Sequence, residues 1–83
     1  MKINYTKHAK KKFKDLEKLG VLVKKELVTK GVKEPLNIDE ISDDPKKIAS
    51  IELDKNHILR IVYKEEHGKI VIITFYPAKK GRY

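Results

Sequence analysis

The chain has 83 residues, a net charge of +8 and no cysteine. That length allows one domain with one modest core, burying about 60–65% of the unfolded surface. Without Cys there is no disulfide scaffold, Cys-ligated zinc site or thiol nucleophile. No apolar run approaches a membrane span, and Met1–Tyr5 lacks a signal-peptide segment. The expectation is therefore a soluble cytoplasmic protein.

Residues 1–33 carry eleven Lys against Asp15, Glu17 and Glu26, and residues 34–83 balance nine bases with nine acids. The whole cationic excess sits on the first third. Such a concentration favours a polyanionic partner, and equally fits a solvated, lysine-rich surface.

Residues 2–5 alternate and read as a short edge strand. Thr6 stands where an N-cap belongs. From Lys7 to Leu19 the residues Ala9, Phe13 and Leu16 recur at helical spacing, and Gly20 ends the run. Lys7, Lys11, Lys14 and Lys18 line the opposite face. A second helix is predicted over Val21–Lys30, with Val23, Leu27 and Val28 buried and Gly31 closing it. One glycine between the helices predicts a tight αα-hairpin or a kinked pair. Asn37 and Glu40 have capping-box spacing, which predicts a helical turn near Ile38–Ile41.

From Ile48 the period changes to two. Three strands are predicted: Ile48–Leu53, His57–Lys64 and Lys69–Tyr76. Asp54-Lys55-Asn56 and Glu66-His67-Gly68 read as three-residue turns. Closing the first hairpin at Leu53–His57 pairs Ile51 with Leu59. Closing the second at Glu65–Lys69 pairs Arg60 with Thr74, Leu59 with Phe75 and Ile61 with Ile73. One face then carries Ile51, Leu53, Leu59, Ile61, Tyr63, Val71, Ile73 and Phe75, and packs on the helices. The other carries Glu52, Ile58, Arg60, Val62, Ile70, Ile72, Thr74 and Tyr76. Its aliphatics Ile58, Val62, Ile70 and Ile72, with Tyr76, predict a partner or homodimer face. The fold class is α+β: a short N-terminal strand, two helices and a three-stranded antiparallel meander packed on them, forming a single domain over 1–83.

His8 lies on the boundary between the apolar and lysine stripes, where a ring can be exposed while its backbone is fixed. His57 and His67 fall at turns and look incidental. No residues have metal-ligand spacing, and there is no glycine-rich phosphate loop or dinucleotide fingerprint. No metal or cofactor is implied. The tail Pro77-Ala78-Lys79-Lys80-Gly81-Arg82-Tyr83 has the composition of a phosphate-contacting strip.

This layout resembles the RelE/ParE-like toxin superfamily, within the barnase/colicin/RelE-type ribonuclease folds. The resemblance is carried by Ile3-Asn4-Tyr5-Thr6-Lys7-His8-Ala9, by Phe13–Leu19, by Leu59-Arg60-Ile61-Val62-Tyr63, and by Ile70–Tyr76 with Arg82-Tyr83. It looks closest to a group of small uncharacterised domains with a His-Ala helix start and a terminal Arg-Tyr. The resemblance implies a metal-independent endoribonuclease or an inactive relative, held in check by an antitoxin protein. It implies His8 as the acid–base residue, Arg60 on the scissile phosphate and Thr74 as a hydrogen-bond donor. Arg82 and Tyr83 would bind phosphate or a base, and Lys7, Lys11, Lys14, Lys18, Lys79 and Lys80 would steer RNA. Two other readings stand beside it. One is a noncatalytic interaction module, ParE-like and aimed at DNA gyrase, or homodimer-forming. The other is a non-specific nucleic-acid binder using the basic first helix.

Overall fold

The computed structural model describes residues 2–42 and 44–80. It is an α+β fold with two helices and a five-stranded mixed sheet: β1 (Lys2–Tyr5), α1 (Lys7–Lys18), α2 (Lys25–Lys33), β2 (Asn37–Asp39), β3 (Lys47–Glu52), β4 (His57–Glu66) and β5 (Lys69–Lys79). The strand order is β1-β5-β4-β3-β2. β1 runs parallel to β5 and the other pairs are antiparallel. Among the described residues, no helix is long and apolar enough to cross a membrane.

Thr6 makes the turn from strand to helix in a single residue. Its Oγ1 accepts from the Ala9 amide at 3.1 Å and donates to the Ile73 carbonyl at 3.0 Å, while its own amide donates to Ile72 at 3.1 Å. One side chain thus caps α1 and fastens it to β5. α1 buries Ala9 and Leu16. Phe13 packs tilted on Phe75 with centroids 4.7 Å apart, and on Tyr5 at 5.8 Å. The helix ends in a Schellman motif. Gly20 takes φ 84°, its amide donates to Glu17, and the Val21 amide donates to Leu16.

That motif displaces the predicted second helix. Val21 belongs to the C-cap of α1, residues 21–24 run outside any helix with Val23 buried, and α2 begins only at Lys25. The tight αα-hairpin is corrected accordingly. Gly31 does not close α2 but lies inside it, fully packed. A Cβ there would sit 2.5 Å from Ile61 Cδ1 and 2.9 Å from Ile51 Cγ2. The glycine lets the helix backbone settle on the sheet.

The helical turn expected at Ile38–Ile41 is instead edge strand β2, with Asn37 opposite Ser50 and Asp39 opposite Ile48. Asp39, not Asn37, supplies the side-chain cap. Its Oδ1 accepts from the amides of Ile41 and Ser42, each at 3.0 Å.

The first hairpin keeps the expected register, with Ile51 opposite Leu59. The second does not. His67 (φ 48°) and Gly68 (φ 76°) form a two-residue turn with both central residues left-handed, closing on Glu66 and Lys69. Together with a bulge further along the pair, this turn places Arg60 opposite Tyr76, Leu59 opposite Pro77 and Ile61 opposite Phe75. That bulge, at Ile73, resets the alternation, pairing Val62 with Thr74 but Tyr63 with Ile72. Ile70 and Ile72 consequently join the helix-side core with Ile51, Leu59, Ile61, Tyr63 and Phe75, in place of Val71 and Ile73.

Candidate nucleic-acid interface

The sheet face away from the helices is built by residues whose neighbours in sequence are core. Arg60, between Leu59 and Ile61, stands on it with Ser50 to one side and Tyr76 to the other. Thr74 lies on the same face, one pair further along. The Arg60 guanidinium carbon lies over the Tyr76 ring, 5.8 Å from its centroid, at cation–π distance. Its Nε is buried and, among the described residues, has no acceptor. Nor does any described carboxylate form an ion pair with it. Asp39 is held below the usual aspartate range mainly by donors from Ser42 and Ile41, and the field of Arg60 adds only a minor part. A cation beside an aromatic ring and short of acceptors is suited to a phosphate or carboxylate brought from outside.

His8 is exposed in the first turn of α1 and so belongs to the helical layer, while Arg60 and Thr74 belong to the open sheet face. No hydrogen bond joins it to them among the described residues. The two layers meet at Thr6, whose bonds to Ile72 and Ile73 seat this turn at the point of β5 from which Thr74 rises. The structure thus places Arg60, Thr74 and Tyr76 on one face, and leaves His8 in the helical layer.

The lysines of α1 form a separate surface. Lys7, Lys11, Lys14 and Lys18 are exposed, as is Lys10. None of them has an ion pair among the described residues. Lys79 is exposed at the end of β5, and Lys80 is tied to Glu52 by an ion pair that spans β4 beside Ile58. Arg82 and Tyr83 lie outside the described residues.

The predicted partner face is corrected. Ile70 and Ile72 are in the helix-side core, and Ile58 and Val62 are buried on the open face. Tyr76 is occupied by Arg60. Ile70 and Ile72 change face because of the two-residue turn, reset by the bulge, which the loop composition did not separate from a three-residue turn. His67-Gly68 was the available signal, since a left-handed pair matches the strand twist.

His57 has a local role in the β3–β4 turn. Asp54 Oδ1 contacts its Nδ1 at 2.9 Å and accepts the amides of Asn56 and His57, each at 2.8 Å. The His57 side chain, then the Asn56 amide, hold Asp54 below the ordinary aspartate pKa. Elsewhere, Lys47 bridges Glu65 at 3.0 Å and Glu40 at 3.7 Å above an apolar hollow of about 350 Å³ floored by Ile3, Val32, Ile38 and Ile70. Among the described residues no cluster of three or more His, Asp and Glu could hold a metal. Comparison with protein families, curated proteins and solved structures finds no match to this chain.

Proposed function

We propose that this protein is a toxin-like, metal-independent endoribonuclease of RelE/ParE type that holds an RNA phosphodiester on its open sheet face. The observation that carries the reading is Arg60, at cation–π distance from Tyr76, on the same sheet face as Thr74, and without an acidic partner among the described residues. A phosphate lying there receives a planar, charged donor set, and the Thr74 hydroxyl adds one more bond. The unpaired α1 lysines supply the long-range approach of the polyanion. The element order of strand, two helices and antiparallel strands supports the same reading, as does an overall charge of +8. A cytoplasmic location and control by an antitoxin protein belong to this proposal.

In the proposed reaction His8, the residue to which the resemblance gives the acid–base role, takes the proton from the RNA 2′-hydroxyl. The bond from that oxygen to phosphorus forms as the bond to the 5′-oxygen breaks, and the imidazolium returns the proton to the leaving oxygen. The products are a 2′,3′-cyclic phosphate and a 5′-hydroxyl, so no redox partner is needed. Arg60 acts where charge develops on the phosphorane oxygens.

A mixed-sequence RNA incubated with wild-type protein in excess chelator tests this. Wild type is expected to cleave. Arg60→Ala is expected to lose about 100-fold or more in rate with an unchanged melting curve. His8→Ala is expected to lose cleavage while still binding RNA. Equal cleavage by wild type and Arg60→Ala overturns the reading, as does no cleavage by wild type.

A further inference from the structure

The hollow under Lys47 lies where α2 stops. Val32 and Lys33 of its last turn line it, and Ile3, Ile38, Tyr63 and Ile70 contribute from four strands. The two-residue turn at His67-Gly68 sets Ile70 on the helical side with Tyr63, so both reach this space. A volume of about 350 Å³ and mainly aliphatic walls suit a small molecule. Tyr63 is the unusual wall residue. It is 3% exposed, and its hydroxyl has no hydrogen-bond partner among the described residues. A buried phenol ordinarily finds one. Burial pushes its pKa up, so at neutral pH it keeps its proton and can donate it to a hydrogen bond.

Lys33 is the second uncommitted group, with no ion pair among the described residues. The other charged lining residues engage one another, Lys47 with Glu65 and with Glu40. Two lysines against two glutamates leave the lining neutral, so net charge selects nothing. The free hydrogen-bonding groups do select, because both are donors. We infer that the hollow binds a small apolar carboxylate. Its hydrocarbon body lies against the isoleucines and Val32, and its carboxylate accepts from the Tyr63 hydroxyl and the Lys33 ammonium. An amine would find both glutamates already held by Lys47. An uncharged amide could accept from Tyr63 but would forgo the charge of Lys33. The site uses none of Arg60, Thr74 or His8, so it does not depend on the ribonuclease reading.

The test compares three probes that share one apolar body: phenylbutyrate, phenylbutyramide and phenylbutylamine. Each is titrated into the full chain and followed by proton–nitrogen correlation NMR. Phenylbutyrate is expected to bind saturably with a Kd of about 1 mM or tighter, shifting the amides of Ile3, Val32, Ile38 and Ile70. The amide and the amine are expected to bind at least about fivefold more weakly. Tyr63→Phe keeps the ring and removes an unpartnered hydroxyl, so it should melt like wild type and weaken phenylbutyrate about tenfold. Lys33→Gln, at an exposed position, should weaken phenylbutyrate and leave the amide probe unchanged. The inference is overturned if phenylbutyrate gives no saturable shift at the hollow, or if the amide or the amine binds as tightly. Unchanged phenylbutyrate binding in either variant also overturns it. So do shifts confined to the α1 lysines or lost in Arg60→Ala, which would mark a general anion surface.

Discussion

Asp54 shows how much one side chain organises in a small domain. It closes the β3–β4 turn by accepting two amides and fixing the His57 ring. Because its folded pKa lies below the ordinary 3.8, its contribution to stability is present above that value. It is lost as pH falls through the folded pKa. The expected outcome is that Asp54→Asn has a shallower acid limb than wild type, with the two melting temperatures converging in strong acid. Thermal melts across the acid range check this, and parallel acid limbs would remove the Asp54 charge from the account. Arg60 is the complementary case, a charge with no acid paired to it among the described residues. Legibility differs accordingly. Strand alternation put Arg60, Thr74 and Tyr76 on one face and the family resemblance made Arg60 and Thr74 candidates, whereas the direct pairing of Arg60 with Tyr76 depends on a register that only the folded hairpin sets.

At the scale of elements, α2 is placed by contact more than by propensity. Its interior Gly31 would ordinarily cost helix stability of about 1 kcal/mol relative to Ala. Here the missing Cβ lets the helix approach Ile51 and Ile61. Gly31→Ala is therefore expected to destabilise, since overpacking costs about 1–3 kcal/mol and outweighs the propensity gain. For a domain this size that lowers Tm by several degrees. Differential scanning calorimetry decides the sign, and a raised Tm would mean that Ile61 moves aside freely. α1 was legible because every signal agreed: a Thr cap, a three-four apolar period and a terminal glycine. α2 was not, because the Schellman motif consumes Val21, and a packing glycine resembles a stop signal in one dimension.

Across the whole molecule, the candidate cations fall on two different layers. The helical layer carries the unpaired lysines, and the open sheet face carries Arg60 and Thr74. If RNA engages about four α1 lysines, affinity for a single strand falls roughly 50-fold between about 50 and 200 mM salt. The double substitution Lys7→Glu with Lys11→Glu is expected to reduce the slope by more than one unit. Fluorescence anisotropy with a labelled oligoribonucleotide measures both. An unchanged slope would assign the RNA contacts to other cations.

The sequence by itself determined the class of fold, the first strand and helix, the Thr6 cap, the first hairpin register and the segregation of positive charge. These follow from local rules: periodicity, capping chemistry and the sign of side chains. Tertiary structure alone decided the parallel pairing of β1 with β5, the start of α2, strand β2, and which of Ile70–Ile73 face the core. Each of those depends on partners distant in the chain. A single-residue change in turn length or a single bulge inverts a strand's faces, because the side-chain period of a strand is two.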